Sequence, residues 1–199
     1  MPSIYQLKPA FQAWLRPIVG RLAGAGITAN QVTLSAMALS LAAGLALTIW
    51  PQHSWPLWLV PLVLFVRMAL NAIDGMLARE HDMQSRLGAI LNELGDVFSD
   101  TALYLPFALV APLSPAAVVL VVILAAISEM TGVLGQALGG PRRYDGPMGK
   151  SDRAALFGTL ALWVAIAGQP AWLLNMALII ACILLTWTII NRARGALAD

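Results

Sequence analysis

An all-α integral membrane protein, with six transmembrane helices preceded by an N-terminal amphipathic interfacial helix, is the fold class that this sequence predicts. Three observations carry the prediction. Apolar residues make up 59% of the 199-residue chain and charged residues only 11%, far from the balance of a soluble domain. Six apolar runs follow one another, each near the ~20 residues that a bilayer core requires. Lysine and arginine fall almost wholly on one side of those runs. The length suits one membrane domain over residues 1–199, with 1–27 as a juxtamembrane helix and 28–199 as a six-helix bundle.

Taken in order, residues 5–24 carry Lys8, Arg16 and Arg21 among Tyr5, Phe11, Trp14, Leu15, Ile18, Val19 and Leu22. That mixture predicts a helix lying on an anionic leaflet, with Pro17 placed to kink it. The leader lacks the apolar core and small-residue cleavage site of a signal peptide. Spans are predicted at 30–50, 56–79, 87–111, 115–137, 151–168 and 171–191, separated by clusters of turn-forming residues. Asn30 and Thr33 open the first span, where short polar side chains either cap the helix or face a ligand. Cys182 stands alone in an apolar run, which rules out a disulfide framework and a cysteine-based metal site. Asn175, in the last span, reads as a helix–helix contact.

Orientation follows from the bases. With the N-terminus inside, the inner segments hold Lys8, Arg16, Arg21, Arg79, Arg86, Arg142, Arg143, Lys150, Arg153, Arg192 and Arg194, and the outer loops hold none. Both termini are therefore expected in the cytoplasm, on a plasma membrane of bacterial inner-membrane type. Arg67 is left over within the second span, and an ion pair with Glu129 of the fourth span is expected for it. The net charge of +2 is small, and no nucleic-acid partner is expected.

The polar stretch from Asn71 to Asp100 breaks this apolar pattern. Ionisable groups at membrane depth are costly, so they face a cavity and do work. Asn71, Asp74, Gly75 and Ala78 fall three or four residues apart, on one helical face. Gly88, Asn92, Asp96 and Asp100 recur every four residues and make one face of the next helix. Antiparallel packing would bring the two rows together at similar depth. Oxygen ligands without cysteine or convergent histidine suit a hard divalent ion such as Mg2+ or Mn2+. A pair of such ions could bridge a pyrophosphate. Read from spacing alone, the same acids could equally serve a divalent-cation or proton carrier. A second polar segment, Gly139–Arg153, holds Arg142, Arg143, Lys150 and Arg153 on the same side of the membrane.

The first stretch resembles the signature of the CDP-alcohol phosphotransferase (CDP-alcohol phosphatidyltransferase) family. That signature runs Asp, two residues, Asp-Gly, two residues, Ala-Arg, eight residues, Gly, three residues, Asp, three residues, Asp. Asp74, Gly75, Ala78, Arg79, Gly88 and Asp96 match it in type and spacing, while Asn71 and Asn92 replace its first and third aspartates. The segment GITANQVTLS is similar to the family's entry into its first membrane helix.

The resemblance implies transfer of a substituted phosphate, usually phosphatidyl, from a CDP-alcohol such as CDP-diacylglycerol to a hydroxyl acceptor, with release of CMP. It implies Asp96 as general base. It implies a metal site of Asn71, Asp74, Asn92 and Asp96, with Asp100 or Glu93 restoring lost charge. Mg2+ or Mn2+ is the implied cofactor, as two ions, with a single-metal site as the rival that the two asparagines leave open. Gly75, Ala78, Arg79, Gly88 and Asn30 are expected to face the nucleotide and phosphates. Arg142, Arg143, Lys150 and Arg153 are expected to hold an acceptor of glycerol 3-phosphate, inositol phosphate or serine type. Membrane lipids and a second copy in a homodimer are the further partners expected. A catalytically inactive relative that binds nucleotide or lipid is the other outcome that the two asparagines allow.

Overall fold

The computed structural model of the chain describes residues 4–166 and 170–198. Seven α-helices follow in order: α1 (Ile4–Gly24), α2 (Ala29–Ile49), α3 (Ser54–Glu80), α4 (Arg86–Tyr104), α5 (Pro115–Ala137), α6 (Lys150–Ile166) and α7 (Ala171–Ala198). A 3-10 turn, Leu105–Leu109, follows α4. Among the described residues there is no strand.

Four helices, α2, α3, α5 and α7, are long and apolar enough to cross a membrane. The chain is an integral membrane protein on that ground. Two of the six expected spans fall short of the same measure. α4 has 19 residues and carries Arg86, Glu93, Asp96 and Asp100. It does not run on to residue 111, because Pro106 has no amide hydrogen to continue the ladder and the chain tightens into the 3-10 turn. α6 has 17 residues and opens on Lys150, Asp152 and Arg153. The end of its expected span, residues 167–168, lies outside the described residues.

The helices divide into two compact units, residues 1–40 with 63–99 and residues 41–62 with 100–199. In the first unit, the core joins Leu15 and Val19 of α1 to Ala29 and Val32 of α2 and to Ile73, Met76 and Leu77 of α3. Burying that face of α1 leaves Trp14, Arg16 and Arg21 exposed. α1 is helical through both Pro9 and Pro17, so neither proline ends it. Arg16 ties α1 to the end of α3, donating to Glu80 at 3.2 and 3.0 Å. The hydrogen bonds it donates to that carboxylate hold the Arg16 guanidinium above its ordinary range.

The start of α2 is fixed by a residue that the sequence reading passed over. Thr28 Oγ accepts from the Gln31 amide at 3.3 Å, and Gln31 Oε1 accepts from the Thr28 amide at 2.9 Å. This reciprocal capping box satisfies two orphan donors at once. Thr28 is the cap, so Asn30 and Thr33 have their side chains available for other work.

In the second unit, the Tyr104 ring stacks on Phe157 at 4.1 Å, and Phe107 meets Phe157 edge-on at 5.1 Å. α5 packs along α7. Ser114 caps α5, with Pro115 in the first turn where its missing amide hydrogen costs nothing. Asn175 of α7 accepts from the Ser114 amide at 2.7 Å and donates to the carbonyls of Pro112 and Ala171 at 3.1 and 2.9 Å. It therefore ties the start of α7 to the capping turn of α5, the helix alongside which α7 packs. Large apolar side chains such as Leu45, Leu62, Ile123 and Ile183 remain exposed, as a chain solvated by lipid permits.

Gly44 marks the closest approach of α2 to α4. A Cβ there would stand 1.9 Å from the carbonyl oxygen of Ala102. Gly44→Ala should push the two helices apart and lower stability by roughly 1–3 kcal/mol. The thermal midpoint of the detergent-solubilised protein is the measurement, and an unchanged midpoint would contradict this packing.

Candidate active site

Helical periodicity places Arg67, Asn71 and Asp74 on successive turns of one face of α3. Asn92 and Asp96 lie one turn apart on α4. The two rows meet within the first unit. Asn71 donates from Nδ2 to Asp96 Oδ1 at 3.4 Å. Arg67 Nη2 is 3.5 Å from the same carboxylate oxygen and donates to the Asp96 backbone carbonyl at 3.3 Å. Asp74, buried, accepts from the Thr33 hydroxyl of α2 at 2.8 Å. Asn92 is exposed, and Glu93, one turn before Asp96, is half-buried.

The glycines and the arginine of the stretch shape the same region. Arg79 is exposed, and its guanidinium lies over Gly75, where a Cβ would stand 3.1 Å from both terminal nitrogens. Ser85 caps α4, its hydroxyl accepting from the Gly88 amide at 2.9 Å. A Cβ on Gly88 would meet the carboxamide oxygen of Asn30 at 2.8 Å. Asn30 is thus held against the start of α4, beside the glycine that closes the first half of the signature. Ala78 is half-buried on the face of α3 that carries Asp74.

Arg67 and Glu129 were expected to pair with each other. Their partners are instead Asp96 for Arg67 and three arginines for Glu129. The spacing explains the first: Arg67 is one turn before Asn71, and Asn71 faces α4.

The second unit contains a buried ionic cluster. Glu129 of α5 has Oε2 2.8 Å from Arg142 Nη2, and Oε1 2.9 Å from Arg153 Nη2 and 3.5 Å from Arg192 Nη1. Asp100 Oδ2 accepts from Arg153 Nε and Nη2 at 3.0 and 2.9 Å. Asp100 and Arg153, expected to serve a metal and an acceptor, are therefore bonded to each other. Both are buried, as are Glu129 and Arg192. Arg192 also donates to the Ser128 carbonyl at 2.6 Å. Sequence reasoning counted Arg192 only among the bases of the inner side and missed this role.

The loop between α5 and α6 reaches this cluster through two small residues. The Arg143 amide donates to the Gly132 carbonyl at 3.0 Å. A Cβ on Gly132 would stand 2.7 Å from the Arg143 carbonyl oxygen, and one on Gly135 2.8 Å from that of Pro141. Only hydrogen at both positions lets the loop lie against α5, and that contact delivers Arg142 to Glu129. Arg142 is braced further by Tyr144, whose ring it covers at 4.7 Å. Arg143 donates to the Gly195 carbonyl of α7 and is 4.0 Å from Asp145. Lys150 is half-buried at the start of α6.

The contact from Asn71 to Asp96 joins the two halves of the stretch that resembles the family signature. The sequence pattern of the CDP-alcohol phosphatidyltransferases matches residues 26–190. The chain belongs to the CDP-alcohol phosphatidyltransferase family. Inner membrane protein YnbA of Escherichia coli (strain K12) is 51% identical over 197 residues, covering 98% of this chain and 96% of that protein. Two crystal structures of phosphatidylinositol phosphate synthase from Mycobacterium tuberculosis share the fold. The one with CDP-DAG bound aligns with a TM-score of 0.76 at 21% identity, covering 90% of this chain and 92% of the other. The one in complex with manganese and citrate aligns with a TM-score of 0.77 at 20% identity, covering 91% and 88%.

Within this family member, Glu129 is the counter-charge on which three arginines converge. Removing it strands buried cations, a loss of roughly 3–5 kcal/mol for a broken buried pair. Glu129→Ala should accordingly lower the melting midpoint far more than Glu80→Ala, whose partner is exposed. Equal effects of the two substitutions would contradict the cluster.

Proposed function

We propose that this chain transfers a substituted phosphate, phosphatidyl in the first instance, from a CDP-alcohol such as CDP-diacylglycerol to a hydroxyl acceptor, releasing CMP. The observation that carries the reading is the 3.4 Å contact from Asn71 to Asp96. It brings the two halves of the signature together on α3 and α4. The solved relatives support it, one holding CDP-DAG and one holding manganese.

Asp96 takes the proton from the acceptor hydroxyl. The freed oxygen attacks the phosphorus that bears the lipid, the bond from that phosphorus to the bridging oxygen breaks, and CMP leaves with the bond pair. Asn71 and Arg67 orient the Asp96 carboxylate for this step, and Thr33 orients Asp74. The donor set fits a hard divalent cation: the carboxylates of Asp74 and Asp96 and the carboxamide oxygens of Asn71 and Asn92 are the groups that hold it. When bound, Mg2+ or Mn2+ supplies charge neutralisation at the pyrophosphate. Arg79 and the Asn30 carboxamide beside Gly88 contact the phosphates and nucleotide. The acceptor is recruited by Lys150, Arg142 and Arg143, which favour a phosphate or carboxylate, while Arg153, buried against Asp100 and Glu129, holds the cluster behind them. The lysine and arginine distribution supports a cytoplasmic side for this chemistry, and the protein acts as a homodimer.

Incubation of the purified chain with CDP-diacylglycerol, Mg2+ or Mn2+, and a panel of hydroxyl acceptors should release CMP only with the true acceptor. Asp96→Asn should lower that rate by roughly 10²–10⁴, the contribution of a positioned general base. CDP-dependent stabilisation without turnover would instead mark an inactive relative, the outcome that Asn71 and Asn92 allow. Ion flux in proteoliposomes without CMP release would mark a carrier.

A further inference from the structure

We infer that this site takes a single divalent cation and that the Arg67 guanidinium stands in for a second one. The inference rests on the metal-dependent reading above and concerns how the charge of the site is balanced.

The argument begins from the carboxylates. A site of four aspartates balances two divalent ions. Here Asn71 and Asn92 supply oxygen without charge, which leaves Asp74 and Asp96. Among the described residues, no group of three His, Cys, Asp or Glu side chains is placed to hold a metal, so Glu93 does not complete such a set with these two. Asp100 Oδ2 is engaged by Arg153.

A cation is already built into the site. Arg67 is 3% exposed, and its Nη2 lies 3.5 Å from Asp96 Oδ1. Guanidinium cannot be deprotonated in a protein, so its charge is permanent. One divalent ion beside Arg67 and two carboxylates leaves a surplus of a single positive charge, close to the neutrality of the four-aspartate site. Two ions would leave a surplus of three in a poorly screened environment, where like charges repel strongly. Arg67 lies one turn before Asn71 on the same face of α3. Asn71 Nδ2 also donates to Asp96 Oδ1, so Asn71 and Arg67 both stand beside that carboxylate oxygen.

Counting bound Mn2+ by electron paramagnetic resonance on the detergent-solubilised full chain, with and without CDP, tests this. Wild type should saturate at about one ion per chain, and Arg67→Lys, which keeps the charge, should do the same. Arg67→Gln should tighten Mn2+ binding on the order of tenfold, through loss of a nearby like charge. The triple variant Arg67→Gln, Asn71→Asp, Asn92→Asp should bind two ions. Two ions on the wild type, with CMP release intact, would overturn this inference and leave the proposed reaction standing. No bound ion and no CMP release would overturn both.

Discussion

A charged side chain in a hydrocarbon layer must find its counter-charge inside the protein, and this constraint organises the structure. In the first unit, Arg67 settles on Asp96. In the second, Glu129 and Asp100 absorb Arg142, Arg153 and Arg192. In both places the ionic contacts join different helices, so pairing the charges also fixes helices against each other. The energetic case for such pairs is not that they stabilise better than apolar packing would. Buried pairs often break even or worse. Their value is that each has few tolerable arrangements, so the helices carrying them have few tolerable registers.

Small residues make those registers reachable. α2 can approach α4 because Gly44 has no side chain, and the loop before α6 can lie against α5 because Gly132 and Gly135 have none. Without a strong hydrophobic force between helices in lipid, close backbone approach is what lets dispersion contacts and polar links form. The same logic holds at Gly88, where the space left by a missing methyl group is filled by the carboxamide of Asn30.

Much of the fold could be read from the chain because apolar runs and polar breaks record it directly. The leader helix, α2, α3, α5 and α7 all fall near their predicted ranges. The third span was drawn too long because Leu105–Leu109 is apolar, although Pro106 signals the break. Charge, not length alone, keeps α4 below the measure for a span. The cap at Thr28 was also legible, since threonine followed by glutamine three residues later is a known pairing. The facing rows of the candidate site followed from spacing on α3 and α4. The partners of Arg67 and Glu129 did not. Spacing within a helix gives the face on which a residue lies. Which residue of another helix meets it depends on relative depth, and one sequence does not record that. Arg192 was missed for the same reason: its partners, Ser128 and Glu129, are on α5, more than sixty positions away.

The turn before α5 is tied by a carboxamide. Asn175 saturates the Ser114 amide and the Pro112 carbonyl with no ionic group involved. A neutral clasp needs no counterion and is indifferent to acidity and ionic strength. It also lets the polypeptide carry its own fastening through a lipid layer during biogenesis without dragging a full charge and its hydration shell along.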